Sequence, residues 1–171
     1  MKKRMLLVLC AALCLAAMAG CAGSADVTIT PKPAPTLSPY DGIVVTGTVS
    51  LKLENEMFVV TCTNDLPSGA LLTVILLDIN GNEIAKVENV LQNNGVCSAS
   101  FSAANARTKA QENAATALIA RVEFFPGLGG QPQDVATLFG EKGSELAGEN
   151  VVLIEETGQE GLCLESEALH I

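Results

Sequence analysis

Leu71–Asp78 reads LLTVILLD, and beyond Ile79-Asn80-Gly81-Asn82 the chain continues over Glu83–Leu91 as EIAKVENVL. The first run is apolar at both odd and even positions, the pattern of a central strand buried on both faces. Asn80-Gly81 supplies the positive φ angles of a type I′ turn, so 83–91 is expected to return antiparallel as a hairpin strand. Strand patterns continue on either side of this pair. Ile43–Ser50 (IVVTGTVS) is rich in Val and Thr. Glu56–Thr63 (EMFVVTCT) alternates, with Phe58, Val60 and Cys62 on one face. Asn93-Asn94-Gly95 marks a turn, after which Val96–Ser102 (VCSASFS) alternates again. Ala117–Phe125, Asn150–Glu155 and Leu162–Leu169 complete eight expected strands. Short strands separated by turn signals point to an antiparallel two-sheet β-sandwich. Two segments depart from the pattern. Ala103–Ala115 is Ala-rich and suits either a helical insertion or a long loop. Gln133–Phe139, placed between Pro132 and Gly140, reads as one short helix.

The chain before this region has a different character. Met1-Lys2-Lys3-Arg4 is basic, and Met5–Ala19 follows without a charge. Fifteen helical residues rise only about 22 Å, less than the ~30 Å hydrocarbon core, so residues 1–20 read as an export signal and not as a transmembrane anchor. The segment ends Leu15-Ala16-Ala17-Met18-Ala19-Gly20-Cys21. Small residues directly before a Cys resemble the lipobox of bacterial lipoproteins, with Met18 where that family usually has Leu. The resemblance implies cleavage between Gly20 and Cys21 and a diacylglycerol on the Cys21 thiol. Ala17-Met18-Ala19 also fits an A-x-A cleavage site of ordinary secretion. Residues 21–41 carry Pro31, Pro33, Pro35 and Pro39 and read as an extended tether. Residues 42–171 are then the folded domain.

Composition narrows the function. The 171 residues include one His, His170, and six Cys. A single His near the end leaves Ser-His-Asp and Cys-His catalysis without a base elsewhere, and excludes multi-His metal sites. Removal of residues 1–20 takes away three basic residues and no acidic one, leaving seven Lys+Arg against 19 Asp+Glu and a net charge of −12. Such a surface disfavours nucleic acid, which needs a basic face.

With the strands placed, a further resemblance emerges. Thr63-Asn64-Asp65-Leu66-Pro67-Ser68-Gly69 and Asp78-Ile79-Asn80-Gly81-Asn82 resemble two turns of small bacterial immunoglobulin-like domains. Gln131–Val135, Phe139-Gly140 and Gly148-Glu149-Asn150 resemble the distal part of a set of exported proteins of unknown function. The resemblance implies an Ig-like sandwich and supplies no catalytic residue.

Candidate chemistry is sparse. Cys62 and Cys97 both point inward from strands that can be neighbours, so a disulfide between them is one reading, permitted by an oxidising exported compartment. The alternative is two buried free thiols acting as small hydrophobes. Cys163 is left unpaired. Asp78-x-Asn80-x-Asn82 lacks the Gly and Glu positions of an EF-hand loop and reads as a turn, so no metal is expected. Glu155-Glu156 and Glu165/Glu167 are the acidic pairs on which a cell-envelope hydrolase or enzyme accessory would rest. Phe124, Phe125 and Leu128, in FFPGLGG, are candidates for an apolar contact loop; the competing reading is that Phe124 or Phe125 caps the core and the glycines only turn the chain. The leading expectation is a non-catalytic module without cofactor. It would be anchored by acylated Cys21 to the outer face of a bacterial membrane and would meet an envelope protein or a small ligand.

Overall fold

The computed structural model describes residues 42–127 and 130–171, together with the backbone of 37–38. The compact unit to which they belong spans 32–171. The expected signal segment, the lipobox residues Gly20 and Cys21, and Leu128 lie outside the described residues.

Among the described residues there are twelve strands and two helices. The strands are β1 (Leu37–Ser38), β2 (Gly42–Val44), β3 (Gly47–Glu54), β4 (Met57–Asn64), β5 (Leu71–Asp78), β6 (Glu83–Leu91) and β7 (Val96–Ser102). They continue with β8 (Ala117–Phe124), β9 (Leu146–Ala147), β10 (Val151–Ile154), β11 (Gln159–Glu165) and β12 (Leu169–His170). The helices are α1 (Ala103–Glu112) and α2 (Gln133–Phe139).

One sheet has the order β3-β4-β7 and the other β10-β11-β8-β5-β6, with β12 added alongside β8. Every pairing in these two sheets is antiparallel. The protein is mainly β, an antiparallel β-sandwich. In immunoglobulin lettering β3-β4-β7 take the places A-B-E and β11-β8-β5-β6 the places G-F-C-C′, with β10 added beyond G. Strand β5 sits between β8 and β6, the central place its unbroken apolar run requires, and Val74, Ile75, Leu76 and Leu77 are all buried. Phe58, Val60 and Cys62 from β4 and Leu118, Ala120 and Val122 from β8 belong to one common core. The Ala-rich insertion is helical from 103 to 112 and buries Ala103, Ala106 and Ala110 as one stripe.

The expected strand Ile43–Ser50 is two strands. The chain leaves one sheet at Val45-Thr46, where Thr46 N donates to Asp65 Oδ1 at 2.8 Å and Thr46 Oγ1 to Oδ2 at 3.0 Å. Those bonds occupy the backbone group that would have continued the ladder. Strand β2 instead pairs in parallel with β9 and antiparallel with β1. Within the expected tether over 21–41, the described residues Leu37 and Ser38 pair with Ile43 and Gly42. The expected Leu162–Leu169 strand is likewise divided: it begins earlier, at Gln159, and stops where Ser166 Oγ accepts the Ala120 N–H at 3.0 Å. Glu155 and Glu156 lie in a turn, not on a strand.

The hairpin after β5 forms, but its turn is not type I′. Only Gly81 has positive φ, and Gly81 N donates to Asp78 O at 2.9 Å. The Asp78 side chain draws the loop into another shape by accepting from Asn80 N and Asn82 N. Two other turns have the paired positive φ of a type I′ turn: Asn55-Glu56 and Asn94-Gly95.

Candidate functional site

The connection from β8 to β11 is the largest elaboration of the sandwich. It carries α2, β9 and β10 and forms the F–G insertion. Several anchors hold it. Phe124 at the end of β8 stacks edge-on against Phe139 of α2, ring centroids 5.2 Å apart at 72°. Both rings are buried. Leu71 N donates to Gln131 Oε1 at 3.0 Å, and Gln131 Nε2 returns a bond to Leu71 O at 2.6 Å. A side-chain amide thus imitates a neighbouring strand at the start of β5. Leu138 on α2 and Leu153 on β10 remain exposed on this insertion.

The expected contact loop must be corrected at Phe124. Its ring is 1% exposed and belongs to the core, because the inward parity of β8 continues through its last residue. Phe125 is half-buried and lies over Gly161 of β11, where a Cβ would collide with its ring. An aromatic side chain thereby covers the bare backbone of a strand glycine. Leu128 lies outside the described residues.

Cys62 and Cys97 are direct register partners across β4 and β7. Both are buried, at 0% and 3% exposure, and both are free thiols. The Asn64 amide donates to Cys62 Sγ at 3.5 Å. The facing Cys97 thiol, with help from Asn64 and against burial, lowers the Cys62 pKa to about 7. The same contact, with burial, raises that of Cys97. Cys163 stands apart, half-buried on β11 opposite Glu123, and burial pushes its thiol up.

The late carboxylates do not converge. Glu165 Oε1 accepts from Arg121 Nη2 at 2.6 Å and Nε at 2.8 Å across β11 and β8. Arg121 also lies 3.9 Å from Glu123. Glu167 is exposed beyond the end of β11, and Glu155 and Glu156 are exposed in their turn. Among the described residues no cluster of three or more His, Cys, Asp or Glu could hold a metal ion.

Asp78, read as a turn residue, is 0% exposed. Its carboxylate accepts from Asn80 N, Asn82 N, Asn82 Nδ2 and Asn113 Nδ2 at 2.8–3.0 Å. Burial acts to raise its pKa, but these four donors outweigh it and hold the carboxyl below its ordinary value of 3.8. The oxygens a cation would need are thus occupied by N–H groups, and the residue joins the β5–β6 turn to the end of α1.

Between β6, β7 and α1 lies an open groove of about 430 Å³, lined by Ile84, Ala85, Phe101, Ala106 and Lys109. Lys109 Nζ spans it to Ile84 O at 2.7 Å. Sequence reasoning missed the Arg121–Glu165 pair, the Gln131 anchor and the Phe124–Phe139 stack. Each joins residues far apart in the chain. The one signal on offer was the alternation of β8, which placed Phe124 inward. No helix among the described residues is long and apolar enough to cross a membrane. No family model, curated protein or solved structure matches this chain, so the likeness to immunoglobulin-type domains rests on strand order and turn residues.

Proposed function

We propose that this protein is an exported bacterial lipoprotein, anchored through acylated Cys21 to the outer face of a membrane, whose Ig-like sandwich is a non-catalytic interaction module. The observation that carries the reading is the basic start and uncharged run ending at Ala19-Gly20-Cys21, followed by a proline-rich stretch before a compact β domain. A lipidated thiol followed by such a spacer would hold the domain off the bilayer. The net charge of −12 expected after removal of residues 1–20 would keep it from anionic headgroups and nucleic acid. The F–G insertion, anchored by Gln131 and Phe139 and exposing Leu138 and Leu153, is the surface best suited to meet an envelope protein or a small ligand.

The hydrolase reading draws no support from its carboxylates. Glu165 is engaged by Arg121, and neither Glu155/Glu156 nor Glu165/Glu167 converges on a pocket. Affinity capture from intact cells, with residues 42–171 displayed on the native anchor, tests the interaction module. Reproducible recovery of one partner, lost on Leu138→Glu/Leu153→Glu, supports it. Equal recovery with the charged variant removes the insertion as the contact surface.

A further inference from the structure

We infer that Cys62 and Cys97 form a reducible disulfide within one sheet, with Cys62 as the attacking sulfur and Cys97 as the resolving one. The register places them directly opposite each other on adjacent antiparallel strands. Asn64 N donates to Gly95 O at 2.8 Å and Ala103 N to Glu56 O at 3.0 Å. The alternation of an antiparallel ladder then makes 62/97 a hydrogen-bonded pair, with Cα atoms about 5.5 Å apart. That separation lies within the range a disulfide spans. The Cβ atoms of such a pair stand at the wide end of about 4.5–5.5 Å, whereas a relaxed disulfide wants about 3.8 Å. Closure must therefore draw the strands together, and bonds closed under such strain are the reducible ones. This is a different arrangement from the inter-sheet B–F bond of antibody domains, since both cysteines lie in the A-B-E sheet.

The two sulfurs are not equivalent. Cys62 receives the Asn64 amide at 3.5 Å, and the Oδ1 of that side chain accepts from Leu66 N at 3.1 Å and Gln92 Nε2 at 3.3 Å. A donor aimed at sulfur favours the thiolate, the nucleophilic form. With oxidised glutathione as the oxidant, the Cys62 thiolate attacks one sulfur and the glutathione S–S bond breaks, releasing one glutathione thiolate. Cys97 then gives its proton to solvent and attacks Cys62 Sγ, expelling the second. The pair loses two electrons and two protons, and glutathione disulfide becomes two glutathione thiols. Strand β7 is an edge strand, so local opening or refolding gives the oxidant access to both sulfurs.

In the cell this oxidation rests on the export reading, but the chemistry is testable apart from it. The full chain carrying Cys163→Ser is refolded from urea in oxidised glutathione, alkylated and peptide-mapped. A linked Cys62–Cys97 peptide with a mass loss of about 2 Da is expected. In about a tenfold excess of reduced over oxidised glutathione, at least half of the pair should return as dithiol, where a structural bond would persist. Cys97→Ser should retain about tenfold more glutathione on Cys62 than Cys62→Ser retains on Cys97. Two free thiols in oxidised glutathione, or a bond that survives the reducing buffer, overturns the proposal; so does equal trapping. A pair that closes in vitro in a chain found unlipidated and reduced in cells would sink the export reading alone.

Discussion

Ala114 occupies a position that favours glycine. It follows α1 with φ +52°, Ala115 N donates to Ala110 O at 2.8 Å, and Ala114 N to Gln111 O at 3.0 Å. Those two bonds are a Schellman closure, and the Cβ of Ala114 is strained in the left-handed region. Ala114→Gly should therefore stabilise the protein by about 1 kcal/mol, read as a higher urea midpoint at unchanged slope. Asp78 makes the opposite kind of prediction. Its carboxyl ionises at lower pH in the folded chain than in the unfolded one, so the ionised form stabilises the fold above about 3.9. That contribution is lost as pH falls through the folded value. Urea midpoints of wild type should fall across this acid range. Asp78→Asn should start lower at pH 7, because an amide cannot accept from all four donors, and should show a shallower acid decline. Neither residue's role was legible in the sequence. Asp78 read as an ordinary turn former, and the partner that reaches it from α1, Asn113, is 35 residues away.

Elements were more legible than their ends. Strands β5, β6 and β7 and helix α2 occupy the residues their patterns marked, because period-two alternation and punctuating Gly, Asn and Pro are local signals. The break at Val45-Thr46 was hidden, since the group that causes it, Asp65, reaches back from the turn after β4. The type I′ turn was assigned to the wrong Asn-Gly: the buried Asp78 reshapes one, while Asn94-Gly95 keeps the expected geometry. Helix α2 is short, and its hold on the sandwich depends on Val135 and Phe139. Phe139→Ala removes a fully buried ring from Phe124 and should cost about 3–5 kcal/mol. Hydrogen exchange should quicken over 133–147 more than in β5 and β8. Uniform loss of protection would show that the insertion and the sandwich unfold together.

At the scale of the molecule, the architecture followed from pattern, and the candidate site followed only in part. Cys62 and Cys97 came together because both sat on the inward parity of strands that proved adjacent. Phe124 left the contact loop for the same reason of parity. The Arg121–Glu165 pair was invisible, since it depends on which strand β11 joins. The proposed export reading, in which the acidic domain and its thiol pair would work outside the cytoplasm, turns on what happens at Cys21. The direct measurement is the intact mass and N-terminal sequence of the full chain extracted from membranes of the producing cells. The account predicts an N-terminus at Cys21 bearing a diacylglycerol, and loss of membrane association in Cys21→Ser. A mature N-terminus at Gly20 with no added lipid would contradict it.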